Sequence, residues 1–377
     1  MTEFTRIGAP AQSSFLALFL RRLHIDITLL TGLLILCGIS FVVLWSAGSE
    51  SVSLLVKQAV RFGVAFGVLL AIAQVPPHYL RMWTPWLYAG GLLLLVLVLV
   101  TGDVGKGAQR WLDLGFIRFQ PSELMKLAVP MMVAWYLHDR ALPPRLLDLL
   151  IAGAIIVLPA ALIIEQPDLG TALLVGSAGA FGIFLAGLRW RMIIAIFALL
   201  AVAMPLAWNF MLHGYQKQRV LTFLNPESDP LNTGYHIIQS KIAIGSGGLF
   251  GKGWLNGTQS QLDFLPERHT DFIFAVIGEE FGLLGALVVL VAFAFVVARG
   301  LFMALQADKT FERVLAGSLV LTFFVYVFVN VGMVIGLLPV VGVPLPLISY
   351  GGTSMVTLMA GFGILMSVYS HRRFVSR

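Results

Sequence analysis

Asp271 lies where a long polar segment turns into an apolar run, in Pro266-Glu267-Arg268-His269-Thr270-Asp271-Phe272. A carboxylate beside a cation stays ionised and can serve as a general base. A helix N-terminus at that point would also draw anions toward it. Glu267 and Arg268 precede Asp271 by four and three residues, a spacing that shares one face if the helix starts early. The same residues also read as a plain helix start, with Thr270 or Asp271 as the cap. Glu279 and Glu280 follow two turns on, within apolar sequence. Charge inside a membrane span is expensive and functional by default; the structural alternative is an interhelical hydrogen bond or ion pair.

A second set is cationic. Lys106 and Arg110 stand four residues apart, Lys106 lies between Gly105 and Gly107, and with Arg118 they flank Trp111 and Phe119. Arginine forks onto phosphate oxygens and glycine lets backbone amides approach, so this composition suits a diphosphate. Tryptophan beside Lys or Arg is equally the mark of a membrane-interface belt. Glu123, one residue after Ser122, opens the next apolar run and is spaced to pair with Lys126. Gln166-Pro167-Asp168-Leu169-Gly170-Thr171 sets Glu165, Gln166 and Asp168 at a tight turn, where Asp168 reads first as a helix cap. The stretch Leu345 to Ser354 is irregular and polar-tipped. Non-helical backbone at membrane depth is buried in protein or lines a cavity, which makes Ser349, Tyr350 and Ser354 candidate cavity residues. His236 and His269 are isolated and read as hydrogen-bonded loop residues rather than metal ligands. No His-Glu-x-x-His or Cys-x-x-Cys occurs, and Ser246 stands where a phosphate loop needs its first glycine. The single cysteine, Cys37, excludes an intrachain disulfide and a Cys-based metal site.

The elements that must position these residues follow from composition. Of 377 residues, 58% are hydrophobic and 12% charged, against about 25% charged in an ordinary soluble domain. That balance excludes both a soluble globular protein and a disordered chain, and leaves a membrane-embedded one. The net charge of +6 fits basic cytoplasmic loops rather than nucleic acid. The early apolar run Phe15 to Leu20 is short and followed by Arg21 and Arg22, unlike a signal peptide. Apolar runs predict ten helices, at about 26–46, 55–75, 86–102, 122–138, 148–164, 169–187, 192–212, 271–298, 314–336 and 352–369. Lys and Arg in the short connections favour both termini inside. Two long outer segments remain, about 103–126 and 213–280, and a disproportionate share of the charge gathers there. Loops of this length are often functional. Tyr235 to Ile244, in the second, is helix-like and is expected to fold back on the membrane surface. No internal repeat stands out, and Gly176, Gly179, Gly182 and Gly187 read as a packing face.

Five motifs are more specific than composition. Phe264 to Ala275 (FLPERHTDFIFA), Lys106 to Trp111 (KGAQRW), Gln120 to Glu123 (QPSE), Gln166 to Thr171 (QPDLGT) and Ser349 to Ser354 (SYGGTS) together resemble the SEDS family (shape, elongation, division and sporulation), in family order across roughly residues 20–372. Gly251 to Gln261, followed by Glu267-Arg268-His269, resembles the elongation branch rather than the division branch.

The resemblance implies an all-α polytopic membrane protein with ten transmembrane helices and both termini cytoplasmic, in the bacterial cytoplasmic (inner) membrane. It implies one domain over 1–377, with a cytoplasmic segment at 1–25, a large extracytoplasmic loop at 213–270 between helices seven and eight, and a cytoplasmic tail at 370–377. The implied activity is a peptidoglycan glycosyltransferase that polymerises lipid II at the outer face during elongation. The implied partners are a class B penicillin-binding protein, which crosslinks the strands, and elongation-complex membrane proteins such as MreC and MreD. A divalent cation, Mg or Mn, is the implied cofactor, with no ligand assigned. The family's essential acid falls on Asp271. The expected substrate-facing set is Lys106, Arg110, Trp111, Glu123, Lys126, Glu267, Arg268, His269, Ser349 and Tyr350. A lipid II flippase is the alternative. It predicts polar residues through the depth of the bundle, repeat symmetry and broken helices.

Overall fold

The computed structural model describes residues 23–105, 108–113, 118–210, 214–228, 233–262, 264–265 and 267–371. Its helices are α1 (Ile27–Ala47), α2 (Val52–Ala73), α3 (Pro77–Thr101), α4 (Pro121–Leu137), α5 (Leu146–Glu165), α6 (Leu169–Leu185), α7 (Trp190–Phe210), α8 (Gly214–Leu224), α9 (Thr233–Gly247), α10 (Thr258–Gln261), α11 (Ile273–Leu305), α12 (Thr310–Val334) and α13 (Thr353–Ser370). Every apolar run expected to be helical falls on one of them, and Tyr235 to Ile244 falls within α9. Among the described residues, α1, α2, α3, α5, α11, α12 and α13 are long and apolar enough to cross a membrane. The protein is therefore an all-α, multi-pass membrane protein. Side chains such as Leu93 and Val100 are largely exposed, as a lipid-facing surface requires.

Local chemistry explains the helix starts. Asp26 and Ser51 cap α1 and α2, accepting from the amides of Leu29 and Leu54. Pro77 and Pro121 occupy first-turn positions, where a missing N–H is no loss. The core is built from α1, α2, α11, α12 and α13 and includes Leu33, Leu36, Phe293, Phe323 and Phe362. Phe323 and Phe362 meet edge to face at 5.0 Å between ring centroids.

Two features depart from expectation at the loop-bearing end of the bundle. The segment after α3 forms a small antiparallel sheet, β1 (Asp103–Gly105), β2 (Ala108–Asp113) and β3 (Arg118–Phe119), in the order β1-β2-β3. Helix α11 begins at Ile273 on Phe272, with no side-chain cap. Neither Thr270 nor Asp271 caps it, so Glu267, Arg268 and Asp271 do not share a helical face.

Helix α11 is also broken. Gly282 has φ 64° and ψ −161°, a conformation that favours glycine. A break inside a span frees backbone groups that must find partners. Here residues 248–253 supply them. Leu283 N–H donates to Gly248 O at 3.0 Å and Leu284 N–H to Leu249 O at 3.2 Å. Lys252 N–H and Gly253 N–H donate to the carbonyls of Glu279 and Glu280, each at 3.0 Å.

Candidate active site

At the loop-bearing end a cavity of about 200 Å3 opens between β2, the first turns of α4, α6 and α13, and the segment 342–344. Three helix N-termini thus line one space, and each carries partial positive charge and free amides. Their sum favours an anion. The polar side chains around it include Arg110, Gln120, Glu123, Lys126, Asp168 and Ser354, with Trp111 beside them and Tyr326 from α12 also lining it.

These side chains are tied to one another. Arg110, on β2, donates from Nε to Gln166 O at 3.3 Å and from its second nitrogen to Pro167 O. Its Nε is 3.7 Å from Asp168 Oδ2. Asp168 caps α6 by accepting from Thr171 N–H at 3.2 Å and takes a second bond from Gln120 Nε2 at 3.2 Å. Cap and cavity wall are therefore the same residue. Lys126 Nζ donates to Glu123 Oε1 at 2.6 Å, as the spacing predicted, and Ser354 Oγ donates to the same oxygen at 2.9 Å. Lys126 Nζ also lies 5.0 Å from the Tyr326 ring centroid. Glu123 Oε2 and the Tyr326 hydroxyl are buried and make no hydrogen bond.

Asp271 stands behind one wall of this cavity. Gly342 lines it, and a methyl group built on its α-carbon would lie 3.5 Å from Asp271 Oδ2. A side chain there would make ordinary contact with the carboxylate, and it is the φ of +73° that favours glycine. The Asp271 turn is held from three directions. Asn330 of α12, fully buried, donates from Nδ2 to Asp271 O at 2.8 Å and to Val343 O at 2.7 Å. Ser349 Oγ donates to Thr270 O at 2.5 Å and accepts from Leu345 N–H at 2.8 Å. Tyr350 N–H donates to His269 O at 2.8 Å, and the two rings meet edge to face at 6.0 Å.

The expected substrate-facing residues divide accordingly. Arg110, Trp111, Glu123 and Lys126 come together in the cavity. His269, Ser349 and Tyr350 belong to the turn that carries Asp271. Glu267 and Arg268 do not line the cavity: Glu267 Oε2 accepts from Thr270 Oγ1 at 2.8 Å, and Arg268 donates to Ser260 O and, at 2.9 Å, to Ser49 Oγ. Lys106 lies outside the described residues. Glu279 is fully buried and holds the 252–260 loop, taking bonds from Lys252 Nζ (2.8 Å), Thr258 Oγ1 (3.2 Å), Gln259 N–H (2.8 Å) and Ser260 N–H (3.2 Å). Glu280 accepts from Ser46 Oγ. Glu279 thus makes an ion pair and loop bonds, and Glu280 a bond between helices. His236, on α9, stacks on Phe272 at 5.6 Å. Burial holds its imidazole below the ordinary histidine range, with the nearby Glu267 carboxylate partly opposing.

Sequence reasoning missed Asn330, Tyr326 and Arg61. The first two are polar residues inside an apolar run, which was their only signal. Arg61 is a lone cation within the second apolar run, and its guanidinium sits 4.0 Å over the Tyr350 ring.

Comparison with known proteins agrees with this architecture. A family model described as cell cycle protein, covering FtsW, RodA and SpoVE, matches residues 19–374. The chain is 53% identical over 359 residues to peptidoglycan glycosyltransferase MrdB of Escherichia coli (strain K12), covering 95% of this chain and 97% of that one. It is 39% identical over 357 residues to peptidoglycan glycosyltransferase MrdB of Helicobacter pylori, covering 93% and 91%. Among solved structures it resembles a chain from work on the structural coordination of polymerization and crosslinking by a peptidoglycan synthase complex, with a TM-score of 0.81 and 31% identity, covering 92% of this chain and 99% of that one. The crystal structure of the rod shape determining protein RodA of Thermus thermophilus gives 0.69 and 30%, covering 91% and 96%. The chain belongs to the FtsW, RodA and SpoVE family of cell cycle proteins.

Proposed function

We propose that this protein is a peptidoglycan glycosyltransferase of the inner membrane that polymerises lipid II, with Asp271 as general base. One observation carries this reading: three helix N-termini, Arg110 and Lys126 converge on a cavity lined by Gly342, where a methyl group would lie 3.5 Å from Asp271 Oδ2. In the reaction, Asp271 takes the proton of the acceptor's 4-hydroxyl as that oxygen bonds the donor's anomeric carbon. The bond from that carbon to the diphosphate breaks, and the diphosphate leaves with the electron pair. One base on the acceptor side suits inversion from an α-linked donor to a β-linked product. Arg110, Lys126 and the helix N-termini neutralise the charge that grows on the leaving group. Lys106 is assigned the same task from its motif. The ten-helix layout with both termini inside belongs to this proposal and puts the cavity at the outer face. A class B penicillin-binding protein is the proposed crosslinking partner, with MreC and MreD in the same assembly.

A divalent cation fits the donor set in a limited way. Among the described residues no group of three His, Cys, Asp or Glu could hold a metal. Mg2+ needs only one or two carboxylates when substrate phosphates complete its shell. Glu123, whose Oε2 is buried and unbonded in the cavity, is the carboxylate that would hold it. The ion would supply further neutralisation of the diphosphate.

The break in α11 is a feature that a flippase would share. Residues 248–253 close its freed backbone groups, which favours surface chemistry over a path through the bilayer. The test is purified protein in vesicles with labelled lipid II, with and without the class B partner. Polymer supports the enzyme. Translocation without polymer supports the flippase.

A further inference from the structure

Arg61 is a cation in an unusual place. It stands nine residues into α2, about 14 Å along the helix at 1.5 Å per residue. Charge at such depth in a span is expensive and demands a partner. Among the described residues Arg61 forms no ion pair, and its Nη1 is buried with no hydrogen bond. Its guanidinium lies over the face of Tyr350, 4.0 Å from the ring centroid. A cation–π contact contributes about 0.5–2 kcal/mol. It does not replace the hydrogen bonds that a five-donor fork loses on leaving water.

The surroundings are built rather than accidental. Gln58, one turn earlier on α2 and fully buried, donates from Nε2 to Ser349 O at 3.3 Å. That bond holds the 349–352 segment against the face that carries Arg61. Gly352 approaches Arg61 closely, a methyl group on its α-carbon falling 3.7 Å from Nε. Gly351 has open space where its side chain would be. Arg61 itself is only partly buried. The result is a planar fork, flat on an aromatic ring, beside open glycine backbone. Arginine in that setting suits phosphate. It is not among the residues that line the Arg110 cavity.

We propose that Arg61, seated on Tyr350, is a second anion site, which binds the phosphate of a lipid-linked ligand. The assignment to substrate rests on the proposed function: joining two lipid-diphosphate saccharides brings two diphosphates to one active centre. The Arg110 cavity holds one, and Arg61 holds the other across the segment that also ties down Asp271. An anionic bilayer phospholipid offers the same chemistry.

The first test needs no turnover. Farnesyl diphosphate is titrated into the purified full-length protein. Wild type should bind two equivalents, Arg61→Gln one and Arg110→Gln one. The equivalent retained in R61Q also shows that the variant is folded. Arg61→Lys keeps the charge but loses the fork, and should bind the second equivalent about tenfold more weakly. Two equivalents of unchanged affinity in both Arg61 variants would overturn the proposal. Polymerisation rates then separate the sources. If the ligand is substrate, R61Q raises half-saturating lipid II about tenfold in phosphatidylcholine vesicles and in vesicles containing phosphatidylglycerol. If it is a bilayer phospholipid, the R61Q defect appears only with phosphatidylglycerol. Unchanged rates in both vesicles would also overturn the proposal. Absence of polymer from wild type would sink the glycosyltransferase reading and leave the titration standing.

Discussion

Asn330→Leu removes the two donors that bind the Asp271 turn to the cavity wall. The wild-type amide is fully buried and gives one bond of 2.8 Å to Asp271 O and one of 2.7 Å to Val343 O. Each carbonyl left buried and unsatisfied costs about 1–3 kcal/mol, so the pair costs about 2–6 kcal/mol unless the turn moves to find other donors. Movement is the cheaper response, because residues 269–271 precede α11 rather than belong to it. A shift of about 1 Å in a reacting group can cost about 100-fold in rate. The expected result is a loss of that order in polymerisation of lipid II at saturating substrate, with a lowered unfolding midpoint. Asn330→Asp keeps the shape but, ionised, sets an acceptor against two acceptors, and should be equally impaired. Circular dichroism and monodispersity in detergent check that each variant is folded. Rates within threefold of wild type in both variants would refute the view that Asn330 holds the Asp271 turn.

Other consequences are equally direct. Gly342→Ala puts a methyl group in ordinary contact with Asp271 Oδ2, at 3.5 Å, on backbone whose φ of +73° an L residue rarely adopts, so stability should fall by about 1–2 kcal/mol, read from chemical unfolding in detergent beside a steady-state rate comparison with wild type. Lys126→Met leaves Glu123 buried and uncompensated, a loss of about 3–5 kcal/mol. The double variant Glu123→Gln, Lys126→Met should recover part of it, read from chemical unfolding in detergent. His236 is held below the ordinary imidazole range by burial, so the folded state binds fewer protons there than the unfolded state. Stability should therefore fall as pH drops below about 6.5, the unperturbed value. In His236→Gln that slope should flatten, measured as unfolding midpoint against pH.

Much of the scaffold was legible because span length and apolar periodicity are strong signals. The Glu123–Lys126 pair followed from spacing alone, and Asp168 was recognised as a cap. Its second role was hidden, because a cap oxygen and a cavity wall look the same in one dimension. The β1–β3 sheet was missed, since strands of two to six residues interrupted by glycine carry little period. The break in α11 was invisible for a related reason: Gly282, two residues after Glu280, is one of several glycines in that stretch, and its partners at 248–253 are distant in sequence. Arg61, Asn330 and Tyr326 needed the fold, because what singles each out is the residue it faces. The Asp271 motif was read for its chemistry, but the glycine that faces its carboxylate lies 71 positions later.

The central claim is that Asp271 takes the acceptor proton. It is tested most directly by single-turnover glycan formation from saturating lipid II, comparing wild type with Asp271→Asn. Asn keeps the shape and the backbone bond to Asn330 and removes only the basic carboxylate. The prediction is a rate lower by about 100-fold or more, with half-saturating lipid II little changed. Glycan formed by D271N at close to the wild-type rate would contradict it.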